Sequence, residues 1–334
     1  MLQRAWYSGA WWLALLRPLS LLFNSFAHRR RRRLQAEAPQ IACPVVVVGN
    51  ISVGGSGKTP LLLALIDICQ RNNLRVGVIS RGYGGKALSY PLVVDKLTDV
   101  SESGDEPAMI ARRADVPVVV DPDRVSAAQT LLQLTELDLI LSDDGLQHYR
   151  LQRSLEIAVV DAARGLGNGR TLPEGPLREP PARLAEVDMV VLNGEGGFNY
   201  PGAIRYRLKP SLLRNVKTAQ QIQPSAQALG VTEVDAIAGI GHPQRFFDTL
   251  ETLGFEVQGQ ALPDHALIDE ALLAPFAGKT LLMTEKDAVK CGAFANDNCW
   301  ALCVDAVFSS TDEQRLTAAL LALVEPRSGE TNGS

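Results

Sequence analysis

From residue 41 onward, short apolar runs alternate with longer segments of mixed polarity. The runs at 45–48, 76–79, 116–120, 137–141, 157–160 and 187–192 read as strands, and the first mixed stretch, opening on Pro60 and running to 70, reads as a helix. This alternation predicts an α/β fold whose sheet is mainly parallel and flanked by helices. The pattern blurs over 194–223, where 205–209 alternates and Pro210 breaks the run, as in a linker or hairpin. A second alternating region follows, with strands at 234–238, 255–258, 280–283 and 300–304, a helix at 243–253 and a closing helix at 312–324. The expected layout is an N-terminal segment 1–33, a main domain 34–204, a linker or hairpin 205–223, a smaller α/β domain 224–326 and a disordered tail 327–334.

The N-terminal segment follows a different rule. It is apolar over 5–16 and 19–27, split by Arg17-Pro18 and closed by Arg29 to Arg33. Neither half reaches the ~20 residues a membrane span needs. Trp6, Tyr7, Trp11 and Trp12 suit the headgroup level and the arginines suit anionic lipid, which fits an interfacial helix on a cytoplasmic leaflet best; a tilted span and subunit packing stay open. A charge cluster after the apolar run argues against a cleaved secretory signal, whereas composition leaves a mitochondrial presequence open.

Charge sharpens this picture. The chain of 334 residues has a net charge of −4, but residues 1–33 hold seven arginines and no acid, leaving 26 basic and 37 acidic residues elsewhere. A basic head on an acidic body argues against general nucleic-acid binding and for one local anionic partner, a membrane surface; no obligate protein partner is indicated. The five cysteines form no C-x-x-C pair, so reduced thiols fit better than a disulfide framework or a zinc site.

The chemistry begins after the four-valine strand, in the loop Ser52-Val53-Gly54-Gly55-Ser56-Gly57-Lys58-Thr59. Its glycines let successive backbone N–H groups curl around phosphate oxygens, Lys58 can reach the β- and γ-phosphates, and the Thr59 hydroxyl can ligate Mg²⁺. Ser52 stands where the usual G-x-x-x-x-G-K-[ST] pattern has a glycine, the nearest earlier one being Gly49. Strand, loop and helix in this order predict a nucleotide triphosphate site of the P-loop NTPase type.

Asp143 and Asp144 follow the strand at 137–141 and are candidates to handle Mg²⁺, with Gln147 and His148 just downstream. Asp105 and Glu106 precede an apolar run at 108–114, and Asp105 is either a helix cap or the general base a kinase needs for its acceptor hydroxyl. The loops at 80–85 and 165–179 are rich in glycine and arginine, and Arg81, Arg164, Arg170 and Arg178 can grip phosphate or remain surface charges. His265, in the second region, reaches the phosphate loop only if the two regions meet.

Together, GNISVGGSGKTP, SRGYGG, GDEP, SDDGLQH, RGLGNGRTLPEGPLREP, AGIGHPQRFF, LPDH and TEKDAVK, in this order and behind a Trp-rich N-terminus, make the chain resemble the tetraacyldisaccharide 4'-kinases, the lipid A 4'-kinases of Gram-negative bacteria. The resemblance implies transfer of the ATP γ-phosphate to the 4'-hydroxyl of an acylated glucosamine disaccharide 1-phosphate at the cytoplasmic face of the inner membrane. It implies Asp105 as catalytic base with His265 as its partner, and Lys58 and Thr59 on phosphate and Mg²⁺. It further implies Asp143, Asp144, Gln147 and His148 beside them, and Glu106 and Arg178 as active-site polar groups. Of the TEKD motif, 284–287, it implies no chemical role.

Three rivals share parts of this pattern. A partition-type membrane ATPase needs a lysine before the paired glycines, where this chain has Val53. A GTP switch needs Asn-Lys-x-Asp, and Thr284-Glu285-Lys286-Asp287 has the wrong order. A cytosolic small-molecule kinase remains the nearest alternative.

Overall fold

The computed structural model describes residues 2–324 apart from Ala293, with side chains described from residue 5; the expected tail 327–334 lies outside them. Thirteen strands among these residues join one sheet. In chain order they are β1 (Val45–Gly49), β2 (Val76–Ser80), β3 (Leu92–Val94), β4 (Val118–Val120), β5 (Leu139–Asp143), β6 (Leu155–Asp161), β7 (Met189–Asn193), β8 (Ile204–Asn215), β9 (Gln221–Ile222), β10 (Glu233–Ala238), β11 (Glu256–Ala261), β12 (Leu281–Thr284) and β13 (Cys299–Phe308). The order across the sheet is β11-β10-β12-β13-β8-β7-β6-β1-β5-β2-β4-β3, with β9 against β8.

β1 lies between β5 and β6, parallel to both. Its valines are buried on both faces, which is why the run is continuous rather than alternating. Val46 and Val48 pack with Leu61 and Leu65 of the helix Lys58–Arg71, while Val45 and Val47 pack with Ala127, Ala128 and Leu131 of the helix Arg124–Leu134. Helices thus cover both faces, as the alternation predicts, and the sheet is parallel except at β3/β4, β8/β9 and β8/β13.

The segment expected as a linker or hairpin is mostly strand. β8 runs twelve residues, pairs parallel with β7 and antiparallel with β13, and turns back into the two-residue β9. Both halves of the chain therefore share one sheet. The second half has its own layers, with Ile237, Leu281 and Met283 on one side and Ala236, Leu282 and Leu302 on the other. Its closing helix is an exception. Ser310–Leu321 packs Leu316 and Leu320 into the cluster holding Leu61 and Leu65, because β13 carries the chain back along β8 to the first half.

The N-terminal segment consists of a helix Leu2–Ser8, a 3₁₀ turn Trp11–Leu16 and a helix Arg17–Ala36. Trp6 and Leu13 are buried, while Trp11, Leu15, Leu19, Leu22 and Phe26 are exposed, Trp11 to 81% and Phe26 to 69%. Leu19, Leu22 and Phe26, spaced by three and four in the helix Arg17–Ala36, set an apolar stripe along it. No helix among the described residues is long and apolar enough to cross a membrane.

Candidate active site

A cavity of about 1330 Å³ opens along the C-terminal ends of the central strands. The phosphate loop lines its middle, His265 and Lys286 one side, and Phe23, Phe26 and Ala27 of the N-terminal helix another. Of the residues named on sequence grounds, Val53 to Thr59, Arg81, Glu106, Asp143, Asp144, Gln147, His148, Arg178 and His265 line this space, Asp105 reaches it through His265, and Ser52, Arg164 and Arg170 are not among its lining residues.

The loop itself is held by its neighbours. Asn193, at the end of β7, donates to the Ser56 carbonyl at 3.1 Å, and the Tyr206 hydroxyl of β8 donates to the Gly57 carbonyl at 2.6 Å. Both groups come so close to Gly57, whose φ is +90°, that a β-carbon there would lie 2.3 Å from the Tyr206 oxygen. Only glycine fits. The helix after Gly57 has no side-chain cap, so its first N–H groups are open to an anion, as a phosphate site requires.

Asp143 ends β5 and Asp144 follows it with φ +45°, a conformation non-glycine residues seldom take. The two carboxyls face different surroundings. Asp143 accepts from the Ser80 hydroxyl at 3.2 Å, and burial, with Asp144 and Glu106 nearby, pushes its pKa up to about 6. For Asp144 burial works in the same direction but is outweighed by Lys58 at 3.5 Å and Arg178 at 3.1 Å, which bring it down to about 2. Gln147 accepts from Arg178 and donates to the Asn50 carbonyl and to Glu179. Burial, with Arg124 and Arg81 close, pushes His148 down to about 3, so its imidazole is neutral.

No three acidic, histidine or cysteine residues among those described form a metal cage by themselves. The hydroxyl of Thr59 and the carboxylates of Asp143 and Asp144 are hard oxygen donors at the edge of the phosphate loop. That set suits Mg²⁺, which is usually held by one or two carboxylates together with substrate phosphates.

Asp105 and His265 meet across the two halves, with Asp105 Oδ2 3.1 Å from His265 Nδ1. Gly104 takes the cap position of the helix Asp105–Arg113, which frees the Asp105 side chain from capping. Burial would raise the Asp105 pKa, but the bond to His265 and the charges of Lys290 and Lys286 keep it below the ordinary value. His265 is raised, chiefly by the bond to Asp105, against burial and Lys286. Its φ of +59° costs about 1–3 kcal/mol, a strain that marks functional positions. Glu106 forms an ion pair with Lys286 at 3.1 Å.

Several supporting residues were not named for a role on sequence grounds, although Ser80 opens the SRGYGG loop. Arg124 is wholly buried and donates to the Asp143 carbonyl, and Ser80, Asn193 and Tyr206 act as above. The ends of parallel strands are where ligands gather, so Ser80 and Asn193 had a positional clue once β2 and β7 were placed.

Comparison with known proteins supplies the rest. The family model described as tetraacyldisaccharide-1-P 4'-kinase matches residues 12–325. A tetraacyldisaccharide 4'-kinase of Pseudomonas fluorescens is 49% identical over 329 residues, covering 98% of this chain and 97% of the relative. One from Azotobacter vinelandii is 49% identical, covering 97% of each. A crystal structure of LpxK from Aquifex aeolicus in complex with ATP superposes with a TM-score of 0.77 at 28% identity, covering 94% of this chain and 99% of that one.

Proposed function

The chain belongs to the tetraacyldisaccharide-1-phosphate 4'-kinase family, and is an ATP-dependent kinase acting on a lipid A precursor disaccharide; from that premise we propose how its residues divide the work. ATP lies with its phosphates on the loop from Ser52 to Thr59, where Lys58 and the open helix N-terminus meet their charge. Thr59, Asp143 and Asp144 would hold Mg²⁺, whose charge would offset that of the phosphates. Arg178 keeps Asp144 ionised and, through Gln147, steadies the start of the phosphate loop at Asn50.

Asp105 is the base. Held below the ordinary carboxylate range and oriented by His265, it takes the proton of the 4'-hydroxyl as that oxygen attacks the γ-phosphorus and ADP departs. The acyl chains rest toward the N-terminal helix, whose apolar stripe and exposed arginines hold the protein at the anionic cytoplasmic face of the inner membrane. One observation carries this reading. A single cavity joins Phe23 and Phe26 of the exposed helix to the phosphate loop and to His265, so a substrate that is lipid at one end and sugar at the other fits along it.

The test is transfer of labelled γ-phosphate from ATP to a tetraacyl disaccharide 1-phosphate in mixed micelles, with Lys58→Ala as the blank. Asp105→Asn is expected to lower kcat by about 10²- to 10⁴-fold with ATP binding intact. Wild-type turnover in that variant would exclude Asp105 as the base. ATP hydrolysis that depends on lipid, without a labelled lipid product, would favour the membrane ATPase.

A further inference from the structure

The Thr284-Glu285-Lys286-Asp287 motif lies directly behind Asp105 and His265. Thr284 caps its helix, and its hydroxyl donates to Asp287 Oδ2 at 2.6 Å. Asp287, wholly buried, also accepts from the Gly239 N–H at 2.9 Å and pairs with Lys290 at 3.4 Å. This framework fixes two lysines, four residues apart, on the helix face that meets the catalytic pair.

An ammonium has three N–H donors and no acceptor. Those of Lys286 are matched by Glu106 Oε1 at 3.1 Å, Asp264 Oδ1 at 3.2 Å and His265 Nε2 at 3.2 Å. Those of Lys290 are matched by the Ala266 carbonyl at 3.1 Å, Asp105 Oδ2 at 3.2 Å and Asp287 Oδ1 at 3.4 Å. Burial opposes the Lys286 charge, but Glu106 and Asp264 outweigh it and keep the ammonium protonated. With an ammonium against it, Nε2 can only accept; the ring proton therefore sits on Nδ1 and is donated to Asp105 Oδ2. Lys290 reaches the same oxygen, and no hydrogen bond to Oδ1 is made among the described residues.

We propose that Lys286 is a positioning residue for phosphoryl transfer: it fixes His265 as the neutral Nδ1–H tautomer, and His265 and Lys290 together hold one Asp105 oxygen so that the other takes the hydroxyl proton. This rests on Asp105 being the base. The groups facing the ring are Asp105 and Glu106 from one helix, Lys286 and Lys290 from another, Asp264 on its own loop and Tyr83, whose ring centre is 5.1 Å away. The charge of Lys286 lowers the pKa of both Asp105 and His265. Removing it raises both, so the acid limb of the kcat profile moves to higher pH.

Lys286→Met is expected to lower kcat by about a hundredfold, to leave KM for ATP within about twofold, and to move the acid limb upward. Lys286→Arg, which keeps the charge, returns the limb to its wild-type position. Nitrogen-15 NMR of the histidines, with His265 assigned by its loss in His265→Gln, is expected to show Nδ1–H in the wild type above the acid limb. A proton on Nε2 there would overturn the proposal, even if Lys286→Met failed to fold. So would a Lys286→Met enzyme with unchanged kcat and pH profile while Asp105→Asn is inactive. Full turnover by Asp105→Asn would instead remove the base assignment, and the NMR tautomer would still decide whether Lys286 orients the ring.

Discussion

Asp143 and Asp144 are adjacent in the chain and opposite in behaviour. Burial and the charges of Asp144 and Glu106 outweigh Lys58 and Arg124 at Asp143, so its folded pKa of about 6 lies above the ordinary 3.8. Above pH 6 the full cost of holding that charge applies, about 3 kcal/mol by linkage, and it fades as pH falls from 6 toward 4. Asp143→Asn is therefore expected to raise the Tm of the nucleotide-free, Mg²⁺-free protein at pH 7.5 while losing phosphate transfer. A lower Tm would mean that the carboxylate is better compensated than its surroundings indicate. The Asp105 and His265 pair sets a separate expectation. Asp105 stays ionised well below neutral pH, and His265 titrates above the ordinary 6.5, so kcat should fall as pH drops through the His265 value. A pH profile flat down to pH 5.5 would show that the neutral ring is not required. At this scale the residue types were readable, since a base, a lysine and paired aspartates are the kinds of group that phosphoryl transfer needs, and the structure brings Lys58, Asp143 and Asp144 to one cavity and Asp105 to its edge through His265. Their states were not. The left-handed backbone at Asp144 and His265 and the buried Arg124 depend on tertiary contacts that no local pattern encodes.

The N-terminal segment and the phosphate loop are tied together through the loop at 165–179. Arg17 pairs with the buried Glu174 at 3.0 Å, the Ser20 hydroxyl donates to the Thr171 carbonyl and accepts from the Glu174 N–H, and the Trp6 indole donates to the Pro173 carbonyl. The same loop accepts from the Val53 N–H through the Pro176 carbonyl at 2.8 Å, and its Arg178 N–H donates to Ile51. Arg164, nearby, hydrogen-bonds to Tyr7 and lies against Gly54. Glu174→Gln is expected to weaken ATP binding about three- to tenfold without changing the circular dichroism spectrum. Unchanged affinity, read by titration of a fluorescent ATP analogue, would uncouple the two elements. The β-branched runs made the central strands legible, because a strand buried on both faces has to be apolar throughout. β3 and β8 were less so. β3 is a three-residue edge strand, and β8 contains Lys209 and Pro210, residues a buried strand would not carry.

On the scale of the whole molecule, β8 and β13 splice two α/β halves into one sheet, and the Asp105–His265 pair forms where the halves face each other. Arg245 of the second half pairs with Asp161 at the end of β6, at 2.7 Å, across the same cleft. Sequence pattern could locate each half but not their shared edge, because strand order is decided by pairing rather than by local composition. The basic, apolar N-terminus was legible as such, since seven arginines without an acid stand out in any composition. Binding to vesicles containing anionic lipid is expected to weaken as salt rises and to be lost on replacing Arg29, Arg30, Arg32 and Arg33 by glutamine. Sedimentation that is unchanged by either treatment would leave the apolar stripe as the sole contact.

If the N-terminal helix holds the protein on a membrane as proposed, the cavity that begins at that helix and ends at the phosphate loop has a kinetic consequence. An enzyme that stays on a surface meets its substrate by diffusion in two dimensions. Its velocity should then follow the mole fraction of disaccharide among the detergent or lipid molecules, not its concentration in the tube. Diluting the substrate with inert detergent at constant bulk concentration should slow the reaction, and adding buffer alone should not.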